Sequence, residues 1–398
     1  MRTVDFTKEE FSEKEKRNIE ILDILRRRGP ISRPQISQEM GINLVTVSNY
    51  IDDFIEHKLV YERELDVSEG GRRPALLDLD TKGGYIIGAG LNLTNMVGLL
   101  LDLKGNIVVK TQAEQPDLSV TGIAERLLDI IRQVIRRSKD YTSNIKGIGV
   151  GIAGIVNKKE GSIRWPEKEP NATNYVSVNV PLKDLLEREF GLPVLVENDA
   201  TCACFGEYWL QLEPSLQNIL FMFSGVGCGI IINGEIYTGA LGCAGEPSIH
   251  NYKEDQLFNC SLGNPCFLKR WDTDLGIVQD FIAKTGLGSS NKVDLKSVFM
   301  AAKAKDEAAR AVLNTAAKRL GIKIAYLVDL FNPQVVVIGG GLEEAGEEFL
   351  QKVTLAVKEW AFREATEDLK VIYSQLRENA VALGAASLVM RKAFAQLY

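Results

Sequence analysis

No stretch of the chain approaches about 18 uninterrupted apolar residues, so no segment is expected to cross a bilayer as a helix. The first residues, Met1-Arg2-Thr3-Val4-Asp5-Phe6, are polar and run into acidic ones, without the apolar core of a secretory signal. The cytoplasm is therefore the expected compartment. Six cysteines in 398 residues are too few for a disulfide scaffold. In a reducing compartment they are expected as free thiols or metal ligands. Positive charge is in deficit: 47 Lys and Arg face 53 Asp and Glu, a net charge of −6. That excludes a blanket attraction to nucleic acid, so DNA binding has to be local and assisted by dimerisation. Short-period repeats and low-complexity segments are absent. What is present is an ordinary folded-chain balance, 45% hydrophobic and 25% charged, with length for two or three domains.

Ile19, Ile21, Leu22, Ile24 and Leu25 give a helix-period stripe, followed by Arg26-Arg27-Arg28 and stopped by Gly29-Pro30. Ser32-Arg33-Pro34-Gln35 reads as a capping box that opens a short helix to about Met40. Gly41 turns the chain. Asn43 then caps a helix running through Val45, Val47, Ile51 and Phe54 to about Lys58. Helix, short helix, glycine turn and capped helix make a helix-turn-helix. Residues 59–64 and 75–79 read as two strands with a loop between them, so residues 1–80 are expected to form a winged helix-turn-helix domain. From Tyr85 the texture becomes two successive halves, each β-rich and then α-rich. That predicts an α/β fold of two lobes with a cleft between them. Lobe 1 covers 81–197 and is completed by about 384–398; lobe 2 covers 198–383. Residues 151–180 read as a long loop.

A recognition helix carries small polar side chains on its first turns, and here those are Asn43, Thr46, Ser48 and Asn49. Asn pairs bidentately with adenine, while Thr and Ser suit phosphates or base edges. Ser32 and Arg33 open the preceding helix, where backbone N–H groups and the dipole favour a phosphate. Arg72 and Arg73, in Gly70-Gly71-Arg72-Arg73-Pro74, sit on a slim backbone fit for a narrow minor groove. Residues 1–80 nevertheless hold 13 basic against 17 acidic residues, a net −4. DNA binding there requires Arg26–Arg28, Arg33, Arg72 and Arg73 to cluster away from the acids; a winged helix used for protein contacts is the alternative.

These segments resemble the ROK family of sugar-responsive repressors and sugar kinases, in order and over nearly the whole chain. Ile31-Ser32-Arg33 to Val47-Ser48 and Gly70 to Pro74 resemble its N-terminal module. Pro193 to Ala200, Gly225-Val226-Gly227-Cys228-Gly229, Gly239-Ala240 to Ala244-Gly245-Glu246, and Phe331-Asn332-Pro333 into Gly339-Gly340-Gly341 resemble its ROK domain. The resemblance implies an actin/hexokinase-like fold with a sugar in the cleft and, in the kinases, ATP beside it. Asp199 matches the family's general base, and Asn198 beside it can share adjacent hydroxyls. Glu246 matches a sugar ligand, Asn171 lies on the loop that reaches the sugar, and His250 follows the glutamate. Taken alone, Asn-Asp after a strand is commonly a turn.

The chain also departs from the kinases. Gly90 stands where the first phosphate loop carries its Asp, and Asn92 replaces a glycine of that loop; Thr94 remains. Phosphoryl transfer depends on a positioned metal and charge stabilisation, so these changes argue against an enzyme. The family's zinc pattern is altered too. His250, Cys260 and Cys266 are three candidate ligands, with Leu262 in place of a cysteine, so no cofactor is certain and zinc stays open. Leu268 falls where the family often has a sugar-binding glutamate. The expected function is a sugar-responsive repressor of carbohydrate-metabolism genes. Its partners are double-stranded operator DNA, a sugar effector and a second copy of the chain, with pairing of dimers into tetramers left open. The alternatives are an ATP-dependent sugar kinase with a regulatory DNA-binding domain, and a ligand-free regulator whose ROK domain only dimerises.

Overall fold

The structure, a computed structural model, describes residues 11–63, 75–91, 95–114, 120–141, 144–168, 175–224, 227–247, 276–287 and 293–396. In chain order the N-terminal elements are α1 (Glu13–Arg28), β1 (Ile31–Ser32), α2 (Arg33–Met40), α3 (Leu44–Glu56), β2 (Val60–Arg63) and β3 (Leu76–Leu79). Next come β4 (Tyr85–Leu91), β5 (Asn95–Asp102), β6 (Ile107–Glu114), α4 (Val120–Arg137), β7 (Ile145–Ile152), β8 (Ile155–Asn157), β9 (Ser162–Lys168), β10 (Tyr175–Val180), α5 (Leu182–Phe190) and β11 (Val194–Asn198). Then follow α6 (Asp199–Leu210), β12 (Ile219–Phe223), β13 (Gly227–Ile232), β14 (Glu235–Ile236), α7 (Ile277–Thr285), α8 (Leu295–Lys303) and α9 (Glu307–Phe331). The last elements are β15 (Val335–Gly339), α10 (Glu347–Trp360), α11 (Arg363–Thr366), β16 (Lys370–Tyr373) and α12 (Ala380–Gln396).

The chain divides into two compact units. One contains the described residues up to Leu91, Asn95–Asn198 and the residues from Val381 onward; the other contains Asp199–Ala380. The N-terminal helices belong to the first unit. Ser12 and Glu15 cap α1 reciprocally: Ser12 N–H donates to the Glu15 carboxylate at 2.7 Å, and Glu15 N–H donates to Ser12 Oγ at 3.4 Å. Gly41 ends α2 with φ +65°, a left-handed value that glycine adopts without strain. Asn43 Oδ1 accepts from Thr46 N–H at 2.8 Å and starts α3. Ile21, Leu22, Leu25, Ile36, Val47, Ile51 and Phe54 are fully buried under these helices. Each such side chain contributes roughly 1.5–3 kcal/mol. β1, β3 and β2 form an antiparallel sheet against them, completing a winged-helix arrangement.

This module is tied to the rest of its unit. Asn18 on α1 donates to the Ala395 carbonyl on α12 at 3.2 Å, and Asp78 on β3 pairs with Lys104 at 2.7 Å. The large sheet of unit 1 has the order β11-β7-β4-β5-β6, with β4, β7 and β11 parallel and β5 and β6 antiparallel. The sheet of unit 2 has the order β14-β13-β12-β15-β16, with β12, β15 and β16 parallel and β13 and β14 antiparallel. The second order is the first repeated. One expectation fails here. Instead of a long loop over 151–180, β8, β9 and β10 form a small antiparallel sheet, with Val156 opposite Ile163 and Pro166 opposite Ser177. A proline within β9 weakens the strand signal in the sequence.

Candidate functional site

The described part of the N-terminal module meets the expected residues unevenly. Ser32 is buried, and its hydroxyl and backbone N–H both donate to the Gln35 side-chain carbonyl, at 2.7 and 3.0 Å. That hydroxyl is committed inside the protein. Arg33 pairs with Asp52 at 2.8 Å and Glu62 at 2.6 Å. Burial opposes its charge, but hydrogen bonds to both acids outweigh that and raise its pKa. Arg26 and Arg27 share Asp23, at 2.6 and 2.8 Å, and Arg28 pairs with Glu39 at 3.1 Å. These four arginines therefore do not form a separate cationic stripe. Asn43 spends its oxygen as the cap of α3, whereas Asn49 is exposed, with Thr46 and Ser48 half-buried. Val45, on the run that marks α3 in the sequence, is 70% exposed. Val47, Ile51 and Phe54 repeat at helical spacing; Val45, two positions before Val47, falls on the opposite side. Arg72 and Arg73 lie outside the described residues.

Asn198 ends β11, where its amide donates to the Gly154 carbonyl at 3.2 Å. Its neighbour Glu197 pairs with Lys158 at 3.2 Å. In unit 2, Asp199 begins α6 and accepts from Ala200 N–H at 2.8 Å. The first turn of α6 lies directly on β13: a Cβ at Gly229 would stand 2.3 Å from the Ala200 carbonyl. Only glycine permits that approach. On the same strand, Cys228 N–H donates to the Gly245 carbonyl at 2.8 Å, which carries Glu246 to the start of β13. The fold thus brings Asp199 and Glu246 to one strand end. Asn171 and His250 lie outside the described residues.

Lys323 is the residue that sequence reading missed. It sits on α9 at 1% exposure. Burial lowers its pKa to about 8, and the opposing attractions come from Cys228 and then Glu246. The Cys228 thiol is pushed up to about 12 by burial, with Lys323 pulling the other way. The signal in the sequence is positional. Leu320, Lys323, Ile324 and Leu327 share one helical face, so a lysine stands in an apolar stripe. Glu207, fully buried on α6, accepts from Ser374 Oγ at 2.5 Å and Leu376 N–H at 2.9 Å.

Two further glycine positions pack against their own unit. A Cβ at Gly90 would stand 2.7 Å from both the Ala382 nitrogen and Val381, so the start of α12 fills the space beside it. In the Gly339-Gly340-Gly341 turn, Gly341 N–H donates to the Glu343 carboxylate at 2.9 Å and Ser224 Oγ donates to the Gly340 carbonyl at 2.6 Å. The turn bonds to its own unit. Asn92, Thr94, Cys260, Leu262, Cys266 and Leu268 lie outside the described residues. Among those described, no three His, Cys, Asp or Glu side chains converge as a metal site, and no helix is long and apolar enough to cross a membrane.

A repeated α/β sheet topology with an N-terminal winged helix defines the class of protein. Residues 87–392 match the ROK family, and the chain belongs to it. It is 30% identical over 378 residues to the xylose repressor of Caldicellulosiruptor bescii, covering 90% of this chain and 92% of that one. The crystal structure of a ROK family transcriptional regulator, a homologue of the E. coli MLC protein, matches with a TM-score of 0.73 at 22% identity. That match spans 96% of this chain and 97% of the other, and carries the fold alone. A ROK family glucokinase from Streptomyces griseus, crystallised with glucose and AMPPNP, matches with a TM-score of 0.61 at 26% identity, over 77% of this chain and 99% of the kinase.

Proposed function

We propose that this chain is a sugar-responsive, DNA-binding transcriptional regulator that represses carbohydrate-metabolism genes and releases them when a sugar binds. The observation that carries the reading is a winged helix joined in one chain to a ROK family domain, along a length shared with a protein named as a xylose repressor. Asp199 and Glu246, at one end of β13, accept hydrogen bonds from sugar hydroxyls, and Asn198, Asn171 and His250 complete the contacts. Carboxylates suit this task because each accepts several donors from adjacent hydroxyls. On the DNA side α3 enters the major groove, with Thr46, Ser48 and Asn49 toward the bases. Arg72 and Arg73 reach the minor groove. Two chains occupy two half-sites.

Sugar releases DNA only if it binds the DNA-competent and DNA-incompetent states with different affinity. Phosphoryl transfer is not part of the proposal. The kinase acid is absent at Gly90, and α12 fills the adjoining space. The test is a thermal-shift titration across pentoses, hexoses and amino sugars, with coupled ADP-release assays on the same samples. The expected result is one sugar that stabilises the chain, by about 2.7 kcal/mol at a hundredfold excess over its Kd, with no ADP release. Asp199→Ala should abolish the shift. Sugar-dependent ADP release would make the chain a kinase, and no stabilising sugar would make it a ligand-free regulator.

A further inference from the structure

The first turn of α3 carries two exposed apolar side chains, Leu44 at 45% and Val45 at 70% exposure. Scattered apolar residues on a surface are ordinary. Here, however, they stand at the start of the second helix of a helix-turn-helix, beside the exposed cap Asn43. The apolar residues that hold this helix to its module, Val47, Ile51 and Phe54, are all fully buried, so Val45 is not part of that packing. Asn49, also exposed, lies four residues further on and shares the face of Val45, about 6 Å away. Charge along the helix is one-sided. The first turn has no acid, while Asp52, Asp53 and Glu56 occupy the second half. The N-terminal end, with the positive end of the dipole, is the end that a polyanion accepts.

We propose that Val45 is a base-reading residue, its methyl groups packing on the C5-methyl of a thymine in the major groove while Asn49 pairs with an adenine nearby. The proposal rests on the DNA-binding reading above and adds what that DNA must contain. The thymine methyl is the apolar feature of the major-groove edge, and adenine offers the acceptor–donor pair that an asparagine amide matches. A separation of about 6 Å on the helix spans roughly two base steps of about 3.4 Å. Each half-site is therefore read at an A·T-containing core through one methyl contact and one amide contact. Asn43, its oxygen taken by Thr46 N–H, is a poorer reader than Asn49.

The experiment is selection of duplexes from a randomised library by the full-length protein, followed by affinity measurements on the selected sequence. Each thymine is replaced in turn by deoxyuridine, which removes the methyl group alone. The proposal expects a fixed thymine in each half-site whose replacement weakens wild-type binding about three- to fivefold, the factor one buried methyl supplies. Val45→Ala should lose that thymine–deoxyuridine discrimination, and Val45→Thr, which keeps one methyl, should retain most of it. Val45 is exposed, so both variants should melt with the wild type. If the wild type selects a sequence but Val45→Ala keeps the same thymine–deoxyuridine ratio, the inference is wrong and the DNA-binding reading survives. If the wild type selects no sequence, both fall together.

Discussion

The two units carry the same strand arrangement but bury charge to different depths: Lys146 of unit 1 keeps 9% exposure and Lys323 of unit 2 only 1%. In unit 1 the buried acids Asp78 and Glu197 reach the part-exposed lysines Lys104 and Lys158. The arginines of the N-terminal helices lie on neighbouring acids, and Gly90 is packed shut by α12. In unit 2 Lys323 and Glu207 lie inside the protein, at 1% and 0% exposure. Glu207 is held by a hydroxyl and a backbone N–H, and Lys323 acts toward Cys228 and Glu246. The repeated sheet topology does not by itself call for an interior lysine. Lys323 belongs to the end of β13 that Glu246 reaches, while Glu207 is held apart from it by Ser374 and Leu376.

The comparison can be broken from either side. Gly90→Asp puts a charge into the sealed position of unit 1. Its Cβ meets the backbone of α12, and its carboxylate has no room to be solvated, so urea unfolding should show a loss of about 3 kcal/mol or more. No ADP release should appear. A stable, phosphorylating variant would overturn the account of that position.

Lys323→Met removes the charge from unit 2. Burial holds Lys323 near pKa 8 in the folded chain, against 10.5 for an ordinary lysine. Between those values the unfolded chain binds the proton and the folded chain does not, so stability rises with pH across that window. Below pH 8 the folded chain carries the whole burden of the buried charge. Lys323→Met should therefore gain on the order of 3 kcal/mol near pH 7 in unfolding experiments, with the gain fading toward pH 10.5. The same variant should bind the effector sugar several-fold more weakly, because Glu246 loses a nearby positive charge. A variant that is less stable at pH 7 would contradict the burial argument.

Smaller effects are expected at the surface of unit 1. Asn43→Ala loses the cap of α3 and should lower stability by about 1 kcal/mol in thermal melts, while Asn43→Asp should not. Glu62→Gln unpairs one acid from Arg33 and should change stability by less than about 1 kcal/mol. It should strengthen DNA binding slightly and steepen its salt dependence by up to about one unit. An unchanged slope would mean that Arg33 stays with Asp52 when DNA is present.

The winged helix was legible because its signals are local. Gly41 and Asn43 punctuate α2 and α3 within a few residues, and the structure keeps both roles. The sheets were legible because apolar runs such as Val335 to Ile338 mark buried strands. The small sheet β8–β10 was hidden by the three-residue β8 and by Pro166 in β9. The acid partners of Arg33 were hidden for a different reason. Asp23 lies within one turn of Arg26 and Arg27, but Asp52 and Glu62 are 19 and 29 residues from Arg33, and no local pattern joins them. Lys323 was obscured because a single lysine on a helix usually reads as solvated; only its place in the Leu320–Leu327 stripe marks it. Asp199 and Glu246, far apart in sequence, were paired by family resemblance, and the contacts on β13 now give a physical reason for their proximity.

The central claim is that sugar and DNA binding oppose each other in this chain. The most direct measurement is fluorescence anisotropy of the full-length protein on duplex DNA from upstream of its own gene. A scrambled duplex of equal length serves as the control, across a salt series, with and without the sugar that raises its Tm. The account predicts preference for the upstream duplex and weaker binding, at fixed salt, when that sugar is bound. Equal binding to both duplexes, or an affinity for the upstream duplex that the bound sugar leaves unchanged, would contradict it.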